Sequence, residues 1–119
     1  MVYTDANIFI RFIVNDNEMM ADYAENLLLT ESVFILHEVL AEMVFVLNKV
    51  YHIDRVDISE QLSDLLQFME TSDKNVMLCA LKFYGETKLD FVDCVLWAYN
   101  NQKNIEIITF DKKLKNKLQ

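Results

Sequence analysis

The sequence predicts an α/β fold, a parallel sheet covered by helices on both faces. Three observations predict it. Short β-branched and aromatic runs alternate with longer segments whose apolar residues recur at spacings of three and four. The segment Asp90 to Asn101 is apolar almost all round, the pattern of a helix buried on most sides. The chain has 119 residues, 53% of them hydrophobic, enough for one domain with a substantial core. No repeat, linker or low-complexity run divides it, so residues 1–119 read as a single domain.

Taken in order, Met1 to Thr4 reads as a short strand. Ala6 to Val14 reads as a helix with Ile8, Phe9, Phe12 and Ile13 on one side. Glu18 to Leu29 is a second helix, carrying Met20, Tyr23, Ala24, Leu27 and Leu28. Val33 to Leu36 has strand composition. His37 to Tyr51 is the clearest helix, with Val39, Leu40, Met43, Val46, Leu47 and Val50 as its stripe. Ser59 to Glu70 follows, with Ser59 as candidate N-cap. Val76 to Leu78 reads as a strand, leading into a helix through Lys82 and Tyr84. After the Asp90–Asn101 helix, Ile105 to Thr109 reads as a strong strand and Asp111 to Leu118 as a lysine-rich terminal helix.

Nineteen acidic against eleven basic residues give a net charge of −8, which argues against broad electrostatic binding of nucleic acid, since phosphates are neutralised by Lys and Arg. The acids are either a solvated surface or a set that converges on cations. One glycine, Gly85, and no proline exclude a phosphate-cradling glycine loop and a dinucleotide fingerprint. His37 and His52 are the only histidines, which argues against a zinc centre or a His-dependent triad. Cys79 and Cys94 stand in no metal-ligand spacing and read as reduced, buried thiols. There is no signal-like start and no apolar run of about 18 residues, so a cytoplasmic protein without a membrane span is expected.

Any enzyme chemistry therefore falls to carboxylates. Asp5 and Asp111 each follow a strand and precede a helix, where an Asp is ordinarily an N-cap. Asp90 and Asp93 fit a cap and a first-turn acid, favourable with the helix dipole. Glu42 borders the apolar stripe of its helix. Taken together they read differently. Residues just past the carboxyl ends of parallel strands gather at one edge, where ligands bind. Asp5 and Asp111 fall at that edge, Glu42 overhangs it about one turn into its helix, and Asp93 starts an otherwise buried helix, a costly place for an uncompensated charge. Carboxylates so gathered repel unless cations sit among them. Oxygen ligands without His or Cys select Mg²⁺ or Mn²⁺.

The runs Thr4-Asp5-Ala6-Asn7-Ile8, Leu40-Ala41-Glu42, Asp90-Phe91-Val92-Asp93 and Thr109-Phe110-Asp111, in that order, resemble a PIN domain of the VapC toxin type over the whole chain. The resemblance implies a three-layer fold with a mostly parallel central sheet of four or five short strands. It implies that Asp5, Glu42, Asp93 and Asp111 hold one or two Mg²⁺ or Mn²⁺ ions, with Asp90 as an accessory acid. Asn7 matches the family's polar residue after the first Asp, orienting that carboxylate or touching substrate, and Thr109 and Lys112 fall with it on the substrate side. The implied activity is metal-dependent endoribonucleolytic cleavage of RNA. The implied partners are a cognate antitoxin protein and a second copy of the chain. Lys103, Lys112, Lys113, Lys115 and Lys117 are further candidates for backbone phosphates. Two rivals stand beside this reading: another Mg²⁺-dependent phosphoesterase or DNA nuclease on the same edge, and a non-enzymatic interaction module whose acids are caps.

Overall fold

The computed structural model describes all 119 residues. Strand β1 (Val2–Tyr3) pairs in parallel with β2 (Val33–Phe34), Val2 opposite Val33 and Tyr3 opposite Phe34. The Tyr3 and Phe34 rings lie 5.0 Å apart across the pair. On its far side β2 meets a third extended stretch through a single bridge. The Glu70 N–H donates to Val33 O at 2.8 Å and its carbonyl accepts from Ile35 N–H at 2.9 Å. β1, β2 and the Glu70 stretch run the same way and leave the sheet at the same edge.

The rest is helical: α1 (Ala6–Val14), α2 (Glu18–Thr30), α3 (His37–Lys49), α4 (Arg55–Leu66), α5 (Lys74–Glu86), α6 (Phe91–Lys103) and α7 (Lys112–Lys115). α1 packs on α2 and α3, while α4, α5 and α6 pack in succession. One apolar cluster of 25 buried residues joins them, with Phe9, Leu40, Met43, Leu47, Ile58, Leu62, Met77 and Leu81 fully enclosed.

The α/β class and the parallel pairing are as expected, but the expected sheet of four or five strands is not formed. Val76–Leu78 lies inside α5, because Val76, Met77, Ala80, Leu81 and Tyr84 bury one continuous helical face. The third sheet position is taken instead by Glu70, six residues earlier in the chain. Ile105 to Thr109 runs without any ladder partner, and Ile108 and Phe110 stand open to water. Strand propensity describes fit to a pleated, half-covered surface, and here no neighbouring strand supplies one.

Helix boundaries differ too. α4 starts at Arg55 behind the N-cap Asp54, so Ser59 is an interior residue and not the cap. Its position explains the single glycine. A Cβ at Gly85 of α5 would stand 2.9 Å from the Ser59 Cβ, so glycine permits the close approach of α4 and α5. The terminal helix is a single turn. α6 is less enclosed than its composition suggests, with Val92 and Leu96, one turn apart, both exposed.

Candidate active site

β1 ends directly before Asp5, which is the N-cap of α1 with extended backbone. Its carboxylate makes no capping bond. Asp90 caps α6 in the same backbone conformation and likewise leaves its side chain unbonded. Asp111 does what a cap does: it accepts from the Leu114 N–H at 2.9 Å. Capping by side chain thus accounts for Asp111 alone, although each helix start carries free N–H groups that a carboxylate could satisfy.

Asp93 lies half-buried in the first turn of α6. Burial pushes its carboxyl above the ordinary aspartate range, and the neighbouring charges of Asp111 and Asp90 push it further in the same direction. The chain leaving α6 therefore folds back to bring Asp111 beside the start of that helix. Asp5 and Glu42 are both exposed and do not complete a cluster with these three. No three acidic, His or Cys side chains converge tightly enough to cage a cation as they stand.

The donor set still fits a hard divalent ion in kind. It is all oxygen, it is self-repelling at Asp93, and the Asp5 and Asp90 carboxylates have no competing hydrogen bonds. Thr4, adjoining Asp5, adds a buried hydroxyl oxygen with no partner.

Two residues that sequence reading passed over hold this edge in place. Arg55 donates from Nε to the Tyr84 carbonyl at 3.0 Å and from a terminal nitrogen to the Leu89 carbonyl, while its guanidinium sits 3.7 Å over the Tyr84 ring. It ties the start of α4 to the loop that delivers Asp90. Thr87 donates to the Phe83 carbonyl at 3.0 Å and accepts from the Leu89 N–H at 3.4 Å, closing the same loop. Both act on carbonyls or amides, which leave no trace in residue spacing.

The other expected contributors are placed as follows. Asn7 is exposed in the first turn of α1. The Thr109 hydroxyl accepts from the Asp111 N–H at 3.0 Å, so it shapes the turn that presents Asp111. Lys112 is exposed at the start of α7, but Lys103 is tied to Asp73 at 3.0 Å and is not a free cation. Both cysteines are free thiols, Cys94 buried and Cys79 half-buried.

A family model described as PIN domain matches residues 2–117. The chain belongs to the PIN domain family. No curated protein and no solved structure matches it. PIN domains are typically nucleases that use divalent metals. No helix of this PIN domain is long and apolar enough to cross a membrane.

Proposed function

We propose that this chain is a divalent-cation-dependent endoribonuclease, working as one domain over residues 1–119 and serving as the toxin of a type II toxin–antitoxin pair in the cytoplasm. The observation that carries it is the half-buried Asp93 at the start of α6, with the charges of Asp111 and Asp90 acting on it. A group of acids held this way is costly unless a cation offsets it.

Asp5 and Asp93 would hold Mg²⁺ or Mn²⁺, with Asp90, Glu42 and Asp111 completing the set. A bound ion supplies an acidified water and neutralises charge at a phosphodiester. The protein's own part is positional. Arg55 and Thr87 fix the loop before α6, and Thr109 fixes the turn before Asp111. Glu42 and Asp111 orient the attacking water, and Asn7 steadies the Asp5 side of the site. Lys112 contacts a backbone phosphate, offsetting an otherwise acidic surface. An antitoxin and a second copy of the chain are the proposed protein partners. Exposed apolar side chains, among them Leu29, Phe68, Val92 and Ile108, supply surface for both.

A substrate panel tests the reading. With Mn²⁺, single-stranded and structured RNA should be cut, and DNA and simple phosphate monoesters should not. Cleavage of DNA or monoesters alone would move the site to another phosphoesterase class. An interaction module is favoured by the capping bond of Asp111. It predicts no cleavage and no rise in melting temperature with Mg²⁺ or Mn²⁺.

A further inference from the structure

Helix α3 buries Leu40, Met43, Val44 and Leu47 and turns a different row to water. Glu42, Phe45 and Lys49 stand at spacings of three and four on that outer face, all exposed. An exposed phenylalanine on a helix with a complete buried face needs an explanation, and Phe45 is 62% exposed. It borders a cleft of about 310 Å³ between α3, Arg55, Tyr84 and the start of α6, whose rim also includes Asn48, Lys49, Phe91, Val92, Asp90 and Asp93.

The cleft combines three chemistries. Asp90 and Asp93 give it carboxylates, and Val44, Phe45, Phe91 and Val92 give it apolar and aromatic surface. Lys49, one turn beyond Phe45 on α3, makes no ion pair. Asn48 donates its amide to the Ile53 carbonyl at 3.1 Å, which leaves its side-chain oxygen free to accept. Glu42 and Lys49 are seven residues apart, about 10 Å along the helix axis at its normal rise.

We propose that this cleft is a nucleobase subsite beside the scissile position: one base of single-stranded RNA stacks on Phe45, and the phosphate beyond it meets Lys49. The inference rests on the ribonuclease reading and adds where the substrate lies relative to the acids. Along α3 the order Glu42 carboxylate, Phe45 ring, Lys49 ammonium matches the order scissile phosphate, base, next phosphate. Stacking on one aromatic ring tolerates every base, whereas the free Asn48 oxygen favours a base that presents an amino group, adenine, cytosine or guanine, over uracil. Arg55 is unsuited to the substrate, being engaged with two carbonyls and the Tyr84 ring.

The test has two arms, so that failure of the subsite and failure of the nuclease reading can be told apart. In the first, AMP, CMP, GMP and UMP are titrated into the full chain in EDTA and followed by amide and methyl NMR. The expected result is shifts confined to Ala41, Phe45, Asn48, Lys49 and Val92, larger for AMP, CMP and GMP than for UMP, and lost in Phe45→Ala. Shifts elsewhere, or none, would overturn the subsite whether or not the protein cuts RNA. In the second arm, Phe45→Ala raises KM for RNA by about tenfold with kcat nearly unchanged. Lys49→Gln weakens RNA binding and lowers the salt dependence by about one ion. Phe45→Leu, which keeps the apolar bulk without the ring, separates stacking from folding and should bind RNA as poorly as the alanine variant. If Phe45→Ala instead changed the oligomeric state with KM unaltered, the residue would belong to a protein interface and the proposal would fall.

Discussion

Asp5, Asp90 and Asp111 occupy the same backbone position, the residue before a helix, yet only Asp111 bonds back to its own helix. Asp5 and Asp90 thus have both carboxylate oxygens uncommitted, whereas Asp111 spends Oδ1 on Leu114 and keeps Oδ2 for a ligand. Asp93 carries the opposing strain. Its raised carboxyl means that the ionised form is disfavoured in the fold, so metal-free protein loses stability as pH rises from the unfolded value near 3.8 through the raised folded value. Asp93→Asn removes that penalty and should raise the metal-free melting temperature at pH 7, while abolishing any further rise with Mn²⁺. Calorimetry with and without the ion reads both effects. Cys94 lies next to this acid but does no chemistry: burial pushes its thiol to about 11. Native protein at pH 8 should therefore leave Cys94 unalkylated by iodoacetamide, and unfolded protein should react fully.

At the scale of elements, the close pairing of α4 and α5 depends on Gly85. Gly85→Ala gains helix propensity but drives a Cβ onto Ser59, and the clash should win, costing about 1–3 kcal/mol in urea unfolding. Ser59→Gly in the same chain should recover part of the loss. At the other end of α5, Asp73 sits in a left-handed conformation, accepting from the Tyr99 hydroxyl at 2.7 Å and paired with Lys103. The Tyr99 hydrogen bond, then Lys103, hold its carboxyl below the usual range. Stability from this group is present above about pH 4 and is lost as pH falls through the lowered folded value. Asp73→Asn keeps the left-handed backbone, which Asn tolerates, and should destabilise at pH 7, with the loss shrinking as pH falls through the lowered folded value. The helices were legible in their bounds: α1 matches, and α2, α3 and α6 come within a few residues. Their buried faces were read less well, since Met20 and Tyr23 of the α2 stripe, Val50 of the α3 stripe and Val92 and Leu96 of α6 are exposed. The strands were less legible. Val76–Leu78 has strand composition but completes a helical face, and Ile105–Thr109 is β-prone without a partner, so composition misread both. Of the five acids the sequence singles out, the structure brings Asp90 and Asp111 to bear on Asp93, whereas Arg55 and Thr87, whose bonds are to backbone groups, carry no signal in residue spacing.

The molecule as a whole is a plate of 45 × 30 × 18 Å with a radius of gyration of 14.7 Å, larger than the roughly 13.5 Å expected of a rounded chain of this length. A plate exposes more surface per core residue, consistent with Val92, Leu96, Ile108 and Phe110 remaining outside. The dimer proposed above should appear in light scattering as twice the monomer mass, and Val92→Asp with Leu96→Asp should return it to monomer if α6 forms the contact. The net charge of −8 sets the constraint on function at this scale: an acidic plate approaches RNA only with cations at its acidic edge. The direct test is cleavage of a mixed pool of RNAs by the purified chain with Mn²⁺, beside EDTA and Asp5→Asn controls. The account predicts discrete cleavage products that disappear in both controls. Cleavage that persists in Asp5→Asn or in EDTA, or intact RNA under every condition, would contradict it.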